Sequence, residues 1–327
     1  MSKIIIAILI ALFTISAYAE GFRLGISDSA VTSIMSESCI QYNGTAKDPK
    51  ITFLQNGTFD YEFTANMLGE RAMKISGDIV VNSDGSLTIR FSQFLSNGTQ
   101  LGPVQMKIAM KQLVSETNRI AQESGAKYQV EQVTASGCKG AVKLVMAASP
   151  VQVATLKQAK IIDGYLMLSD SEINGTPKGA DIEYTVSETL INKALSAVIP
   201  QLSAGNLSAL KLVIDPAQVK TEITTKDSKK VKINFAVAVP DQNRLELTAS
   251  GLDPQADAEQ ILKNAPDFVN ALITLGQNPG SQSAFSLEGL KIVGKLDGLI
   301  KLPGKLKAGL TTVQLSQGSL TAGIMIN

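Results

Sequence analysis

Apolar and polar residues alternate along most of this chain, and this pattern constrains the fold more than any other feature of the sequence. It is clearest from Val231 to Val239, where every odd position is apolar. A period of two places apolar side chains on one face, so the pattern predicts half-buried β-strands. Asn-Gly and Asp-Gly pairs at 56–57, 84–85 and 97–98 suit tight antiparallel hairpins. We therefore expect a chain rich in antiparallel sheet.

Four segments show the helical period of 3.6 residues instead. Thr185 and Glu188 are spaced as a capping box at the start of the third segment. Pro266 is expected to kink or split the fourth, because proline removes a backbone hydrogen-bond donor. The predicted helices span Ser27–Glu37, Lys111–Ser124, Thr185–Ile199 and Asp257–Leu275.

The predicted elements occur twice in the same order. Val31 and Met35 of the first helix correspond to Ile191 and Leu195 of the third, at an offset of 160 residues. A repeat of this length predicts two units of similar build. The tail from 285 to 327 carries regularly spaced glycines, which inside strands often mark bends. We therefore predict an α+β fold of two similar units, each a strongly curved antiparallel β-sheet packed on amphipathic helices.

The start of the chain has the layout of a secretory signal peptide. Lys3 precedes an apolar run from Ile4 to Ile15, and Ala17 and Ala19 form a small-x-small cleavage site. The run is too short to span a bilayer, and we expect no transmembrane segment after it is removed. The mature protein is expected to be periplasmic or secreted. The expected division is a signal peptide at 1–19, an N-terminal unit at 20–150, a connector at 151–181 and a C-terminal unit at 182–327.

The composition argues against several classes of function. The chain has neither His nor Trp, so it can form no Ser-His-Asp or Cys-His arrangement and lacks the commonest zinc ligand. It carries 30 Lys and Arg against 29 Asp and Glu, a balance that gives no support for binding nucleic acid or an anionic membrane through net charge. We therefore expect a protein that is not an enzyme, with no metal and no cofactor.

Cys39 and Cys138 are the two cysteines of the chain. In an oxidising compartment an even number of cysteines favours a disulfide, here closing a loop of about 100 residues. The chain-entropy account assigns such a loop roughly 4–5 kcal/mol of stabilisation. Two buried, unpaired thiols are the alternative.

One segment carries a resemblance to a known superfamily. The stretch Tyr184–Leu195 contains Ser187, Glu188, Ile191 and Asn192, and alternating strands, an amphipathic helix and glycine-spaced strands follow it. This resembles the tubular lipid-binding (TULIP) superfamily, particularly its small periplasmic members, whose halves begin with a serine-acid-x-x-apolar-asparagine helix. The resemblance covers 182–327 and, more weakly, 22–148, and implies a long helix wrapped in a curved sheet around an apolar tube. Exported bacterial proteins with repeated helix-plus-sheet units are an equally similar group.

Two functions from different classes follow. The first is a non-enzymatic binding protein that holds a lipid, a fatty-acyl chain or another apolar ligand in an apolar tube or groove. The second is a structural or protein-interaction component of the cell envelope with a solid core, no ligand and an unknown protein partner. For the first function, the apolar face of the predicted helix must meet the apolar face of the predicted strands. The residues on these two faces are therefore the predicted ligand-binding residues. These are Leu190, Ile191, Leu195, Val198, Ile233, Phe235 and Val237.

Overall fold

The computed structural model describes most of the chain after residue 20. The described residues are 21–41, 46–66, 70–124, 128–136, 139–146, 156–201, 207–276, 285–295, 302 and 304–327. The predicted signal peptide and Cys138 lie outside them, as does the side chain of Cys39. No disulfide is found within the described part. The signal peptide and the pairing of the two cysteines stay predictions.

The described residues form four α-helices, one short 3₁₀ helix and nineteen strands. The helices are α1 Asp28–Gln41, α2 Pro103–Ser124, α3 Glu188–Val198 and α4 Gln255–Gly276, with the 3₁₀ turn at Ile199–Gln201. The strands up to residue 169 are β1 Phe22–Ser27, β2 Ala46–Phe53, β3 Thr58–Asn66, β4 Glu70–Val81, β5 Leu87–Ser96, β6 Thr99–Gln100, β7 Tyr128–Ser136, β8 Lys139–Met146, β9 Gln158–Ile162 and β10 Tyr165–Ser169. The later strands are β11 Ile182–Ser187, β12 Leu207–Asp215, β13 Gln218–Thr225, β14 Lys230–Asp241, β15 Arg244–Asp253, β16 Phe285–Glu288, β17 Lys291–Lys295, β18 Ala308–Ser316 and β19 Ser319–Ile326.

These strands make three antiparallel sheets. The first-half sheet has the order β2-β3-β4-β5-β8-β7, with β6 paired to β5, and the second-half sheet has the order β12-β13-β14-β15-β17-β16. The central sheet, β18-β19-β11-β1-β10-β9, takes three strands from each half of the chain. The first-half and second-half sheets contain the same hairpins in the same order. Helix α2 follows the first four long strands of one sheet, and α4 follows the first four strands of the other.

The predicted α+β fold of two strongly curved sheets is wrong. The structure is mostly β, with 58% strand and 21% helix, and none of its three sheets is strongly curled or closed. The glycines of the tail misled the prediction, because Gly289, Gly304 and Gly318 lie in turns, where each adopts a positive φ. The tail also forms two hairpins in different sheets, since β16–β17 joins the second-half sheet and β18–β19 the central one.

The first strands of the two halves, β1 and β11, pair with each other at the middle of the central sheet. The backbone N–H of Ser27 donates to the carbonyl oxygen of Asp181 at 2.8 Å. In the same way, the N–H of Ser187 donates to the carbonyl oxygen of Gly21 at 2.7 Å. Both donor and acceptor positions differ by the 160-residue offset, so the two strands are related by an approximate two-fold axis.

Each half then adds one hairpin outside this pair. The hairpin β9–β10 lies beside β1, and β18–β19 lies beside β11. The N–H of Asp28 donates to the carbonyl oxygen of Gly164 at 2.9 Å, and that of Glu188 donates to the carbonyl oxygen of Gly318 at 2.8 Å. The first helix of each half is therefore joined to the turn of its own hairpin by an equivalent bond.

Each of these helices starts at a serine. The hydroxyl oxygen of Ser27 accepts the N–H of Ala30 at 3.0 Å, and that of Ser187 accepts the N–H of Leu190 at 3.1 Å. These bonds satisfy backbone donors that a helix start leaves unpaired. The predicted cap at Thr185 is two residues early, because Thr185 still belongs to strand β11.

In the second half, two side chains of α3 bind the outer edge of strand β12. A carboxylate oxygen of Glu188 accepts the N–H of Ile214 at 2.8 Å. The amide of Asn192 accepts the N–H of Leu212 at 2.7 Å and donates to its carbonyl oxygen at 2.8 Å. The serine, the acid and the asparagine of the sequence motif are thus the groups that hold the helix to the sheet.

The first half uses the same positions with different side chains. A carboxylate oxygen of Asp28 accepts the N–H of Phe53 at 3.3 Å. Thr32, which is equivalent to Asn192, accepts the N–H of Ile51 with its hydroxyl at 3.1 Å. Because the contacts are equivalent, they also define which residues of the two halves correspond.

The segment expected to be a connector contains ordered structure. Residues 158–169 form the hairpin β9–β10, and the loop after it packs on the central sheet. A Cβ added to Gly25 would lie 2.5 Å from Cγ of Pro177 in that loop, so the loop approaches the strand closely. The division of the chain into domains stays a prediction. Helix α4 runs through Pro266 as one helix, so the expected split does not occur.

No helix of the described residues is both long enough and apolar enough to cross a membrane.

The docking of α3 generates a testable prediction. Asn192→Ala should lower the free energy of unfolding by about 1–3 kcal/mol, because it leaves both backbone groups of Leu212 without their side-chain partner. Equilibrium urea denaturation measures this loss. Thr189→Ala, an exposed position on the same helix, should change the free energy by no more than about 0.5 kcal/mol. A loss at Asn192 no larger than that of the control would contradict the assigned docking role.

Candidate functional site

An apolar cavity of about 30 Å³ lies inside the first half, between α1, the first-half sheet and strand β10. It has room for about two water molecules and is far too small for an acyl chain. Apolar side chains and one tyrosine line it. They are Met35, Ile51, Phe53, Phe59, Tyr61, Ile75, Ile79, Ile89, Phe91 and Leu166.

The corresponding interior of the second half can be identified residue by residue. The docking bonds of α1 and α3 place Ile51 level with Leu212. Counting across the hydrogen-bonded strand pairs from there aligns the inward positions at the middle of the two sheets. The aligned pairs, first half first, are Phe53 with Ile214, Phe59 with Val219, Tyr61 with Thr221, Ile75 with Ile233, Gly77 with Phe235, Ile79 with Val237, Ile89 with Leu247, and Phe91 with Ala249.

The second half fills this interior with smaller side chains. Four aromatic rings of the first half, at positions 53, 59, 61 and 91, are replaced by isoleucine, valine, threonine and alanine. The opposite change occurs at one position, where the second half has the larger side chain: Phe235 is equivalent to Gly77. Because an aromatic side chain buries far more area than Val, Thr or Ala, the same framework encloses less side-chain volume in the second half.

Three of the nine aligned pairs differ in burial, and in the other six the two residues have the same burial class. Ile51, Phe59 and Ile89 are buried in the first half. Their second-half equivalents Leu212, Val219 and Leu247 are only half-buried. The half-buried apolar surface is the expected result of a framework that its own side chains do not fill.

The helices differ in the same way. Val31 and Met35 of α1 are fully buried and belong to one continuous core with the first-half sheet, α2 and the central sheet. Leu195, the equivalent of Met35, is 9% exposed, and Ile191 is half-buried. The second-half sheet builds its core with α4 instead, through side chains such as Leu262.

The predicted ligand-binding residues therefore fall into separate groups. Leu190 packs with Phe22 at the central sheet. Ile233 and Phe235 belong to the core that the second-half sheet forms with α4. Ile191 and Leu195 lie on α3, which packs on strand β12, and the side chain of Val198 lies outside the described part. The structure does not join the helix stripe and the strand residues in one buried cluster.

Val237 occupies the position between two cores. Earlier inward residues of its strand, Val231 to Phe235, belong to the core with α4. The next inward residue, Val239, packs against the core of the central sheet. Val237 itself is half-buried, as is its equivalent Ile79, and Val237 belongs to neither core. We call this break between the two cores the gap. We take the half-buried apolar side chains around this gap as the candidate site.

Charged groups of the neighbouring strands lie on the other face of the sheet. Glu246 lies next to Lys291 at 3.0 Å and Arg244 at 2.8 Å. The hydrogen bonds from Lys291 and Arg244 hold the pKa of the Glu246 carboxyl below its usual range. On the inner face, the hydroxyl of Thr221 donates to the carbonyl oxygen of Ile233 at 2.8 Å. The described inner face therefore offers an apolar surface to a ligand and no ionised group.

Sequence reasoning identified the strands of the site but missed Val219, Leu212 and Leu247 as its members. A signal was present in the distribution of aromatic residues. Six Phe and Tyr residues lie between positions 53 and 94, whereas the strands of the second half between 207 and 253 contain only Phe235. This difference becomes informative only when the register of the two sheets is known.

Comparisons with known proteins give little further information. No protein-family model and no curated protein matches the chain. Among solved structures, the crystal structure of a lipopolysaccharide binding protein matches over 94% of this chain and 99% of that one, with 8% sequence identity and a TM-score of 0.29. A TM-score this low does not show a common fold, so the likeness to the TULIP superfamily stays a resemblance. Within the described residues no group of three or more His, Cys, Asp or Glu side chains could hold a metal ion.

The contrast between the two halves predicts different costs for the same polar substitution. Met35→Gln should lower the free energy of unfolding by about 2–5 kcal/mol, because it buries an amide among apolar side chains. Leu195→Gln, at the equivalent position, should cost only about 1–2 kcal/mol, since Leu195 belongs to none of the three described core clusters. Urea denaturation of the two variants measures both values. Equal losses would show that the second half is as tightly filled as the first.

Proposed function

We propose that this protein is a non-enzymatic binding protein that holds a fatty-acyl chain, or another apolar ligand of similar shape, in the gap of its second half. The observation that carries the proposal is the replacement of Phe53, Phe59, Tyr61 and Phe91 by smaller residues at equivalent positions of the same framework. Ligand atoms would take the place of the missing rings. The proposal contains no chemical step, no metal and no cofactor.

The shape and chemistry of the gap support a chain-like apolar ligand. The five strand residues from Phe235 to Val239 span about 13 Å, which is comparable with part of an extended fatty-acyl chain. The side chains along this path are medium-sized and aliphatic apart from Phe235, and the described inner face carries no ionised group. Ligand sites of this kind are mostly apolar, with few polar groups that fix orientation.

We further propose that the protein acts outside the cytoplasm, in a periplasm or as a secreted protein. The pattern of residues 1–19, with its apolar run and small-x-small site, supports this. The alternative function, an envelope interaction protein with a solid core, would need no apolar ligand and therefore predicts no uptake of one.

Filling the gap tests the proposal. Val237→Phe should reduce the affinity for a fluorescent fatty acid at least tenfold, because the ring would occupy the space of the ligand, while the melting temperature stays the same or rises. Titration of the purified protein with the probe gives the affinity, and thermal denaturation without probe gives the stability.

The matched control is Ile79→Phe at the equivalent position of the first half. It should leave the affinity unchanged, because the new ring enters the other half. Ile79 is itself half-buried and lines the 30 Å³ cavity, so the free energy of unfolding should change by no more than about 1 kcal/mol. The proposal fails if the wild-type protein takes up no probe, or if both variants weaken binding equally.

A further inference from the structure

The first two turns of α2 expose a stripe of apolar and basic side chains. Val104 is 74% exposed and Ile108 is 55% exposed, the two highest values among the large apolar residues of the described chain. Lys107 and Lys111 are also exposed. The spacing i, i+3, i+4, i+7 places all four on one face of the helix.

The opposite face of the same turns is closed. Met106 and Met110 are fully buried, and a Cβ added to Gly140 of strand β8 would lie 2.7 Å from Sδ of Met110. The helix is therefore held against the sheet by its methionines, and this contact fixes which face points outward. The exposed stripe is a consequence of firm packing, since Val104 and Ile108 cannot turn inward without displacing the two methionines.

The charge of this surface is positive. The first turn of α2 contains no acidic residue. Within the described part of the chain no ion pair engages Lys107 or Lys111. The chain as a whole is close to neutral, so this positive charge is local.

We propose that the stripe Val104, Lys107, Ile108 and Lys111 is a docking surface for an anionic lipid bilayer. Valine and isoleucine side chains that alternate with lysines on one helix face can enter the boundary between headgroups and acyl chains while the ammonium groups bind lipid phosphates. A partner protein would have to cover the apolar pair and also supply carboxylates for the lysines. The charge complementarity favours the bilayer, because one anionic surface meets both requirements without a shaped pocket. The inference does not depend on the proposed acyl-chain site, which lies in the other half.

Vesicle flotation tests the docking surface. The full-length mature protein should float with vesicles of equal parts phosphatidylcholine and phosphatidylglycerol, but not with vesicles of phosphatidylcholine alone. Lys107→Gln with Lys111→Gln should weaken the binding by more than tenfold, from about fivefold for each lysine. Val104→Ser with Ile108→Ser should weaken it by roughly tenfold. High salt should remove the lysine contribution and leave the apolar one.

Matched controls carry the same substitutions elsewhere. Lys226→Gln with Lys230→Gln removes two exposed lysines of the β13–β14 hairpin, and Leu290→Ser removes a leucine that is 48% exposed. Both controls should float like the wild-type protein. The proposal is overturned if the wild-type protein does not bind the anionic vesicles, or if the controls lose binding as much as the α2 variants. It is also overturned if the wild-type protein is a dimer that Val104→Ser with Ile108→Ser converts to a monomer, because a second copy would then cover the stripe.

The vesicle and fatty-acid experiments report on separate sites. The α2 variants should keep the affinity of the wild-type protein for the fluorescent fatty acid in solution, and Val237→Phe should still float with anionic vesicles. Failure of one experiment therefore does not decide the other.

Discussion

The pairing of strands β1 and β11 is the constraint on which the rest of the structure depends. Leu24 lies opposite Tyr184 at the centre of this pair, and residues 160 apart make equivalent bonds on either side. Each strand passes directly into a helix that a serine caps and that binds the edge of a sheet. Once the two strands pair, equivalent hydrogen bonds in the two halves join each helix to its own hairpin and to the edge of its own outer sheet.

This duplication makes the differences between the halves informative. Both halves use an acid and a second polar side chain to hold the helix to the sheet, so their frameworks agree closely. Their interiors do not agree, because the first is filled with aromatic rings and the second with Val, Thr and Ala. A framework that is kept while its filling becomes smaller leaves some apolar side chains half-buried, and the proposed ligand would cover them.

The two proposals assign different tasks to the two halves. In these proposals the first half presents the apolar and basic stripe of α2, and the second half holds the ligand. An exported protein with this arrangement could contact an anionic bilayer through one half while the other half holds an acyl chain. The first half suits a docking role, because its core keeps Val104 and Ile108 facing outward.

The sequence by itself determined the local structure: alternation predicted the strands, and the 160-residue offset predicted that two helices correspond. The motif of Ser187, Glu188 and Asn192 came from the resemblance to a superfamily, and the structure shows that these side chains cap the helix and bind the sheet edge. The sequence could not show that β1 pairs with β11, since local periodicity does not specify which distant strands pair. That pairing joined the halves in a third sheet. Only the tertiary structure decided where the core is filled and where it is not, because packing depends on which side chains meet across strands that lie far apart in the chain.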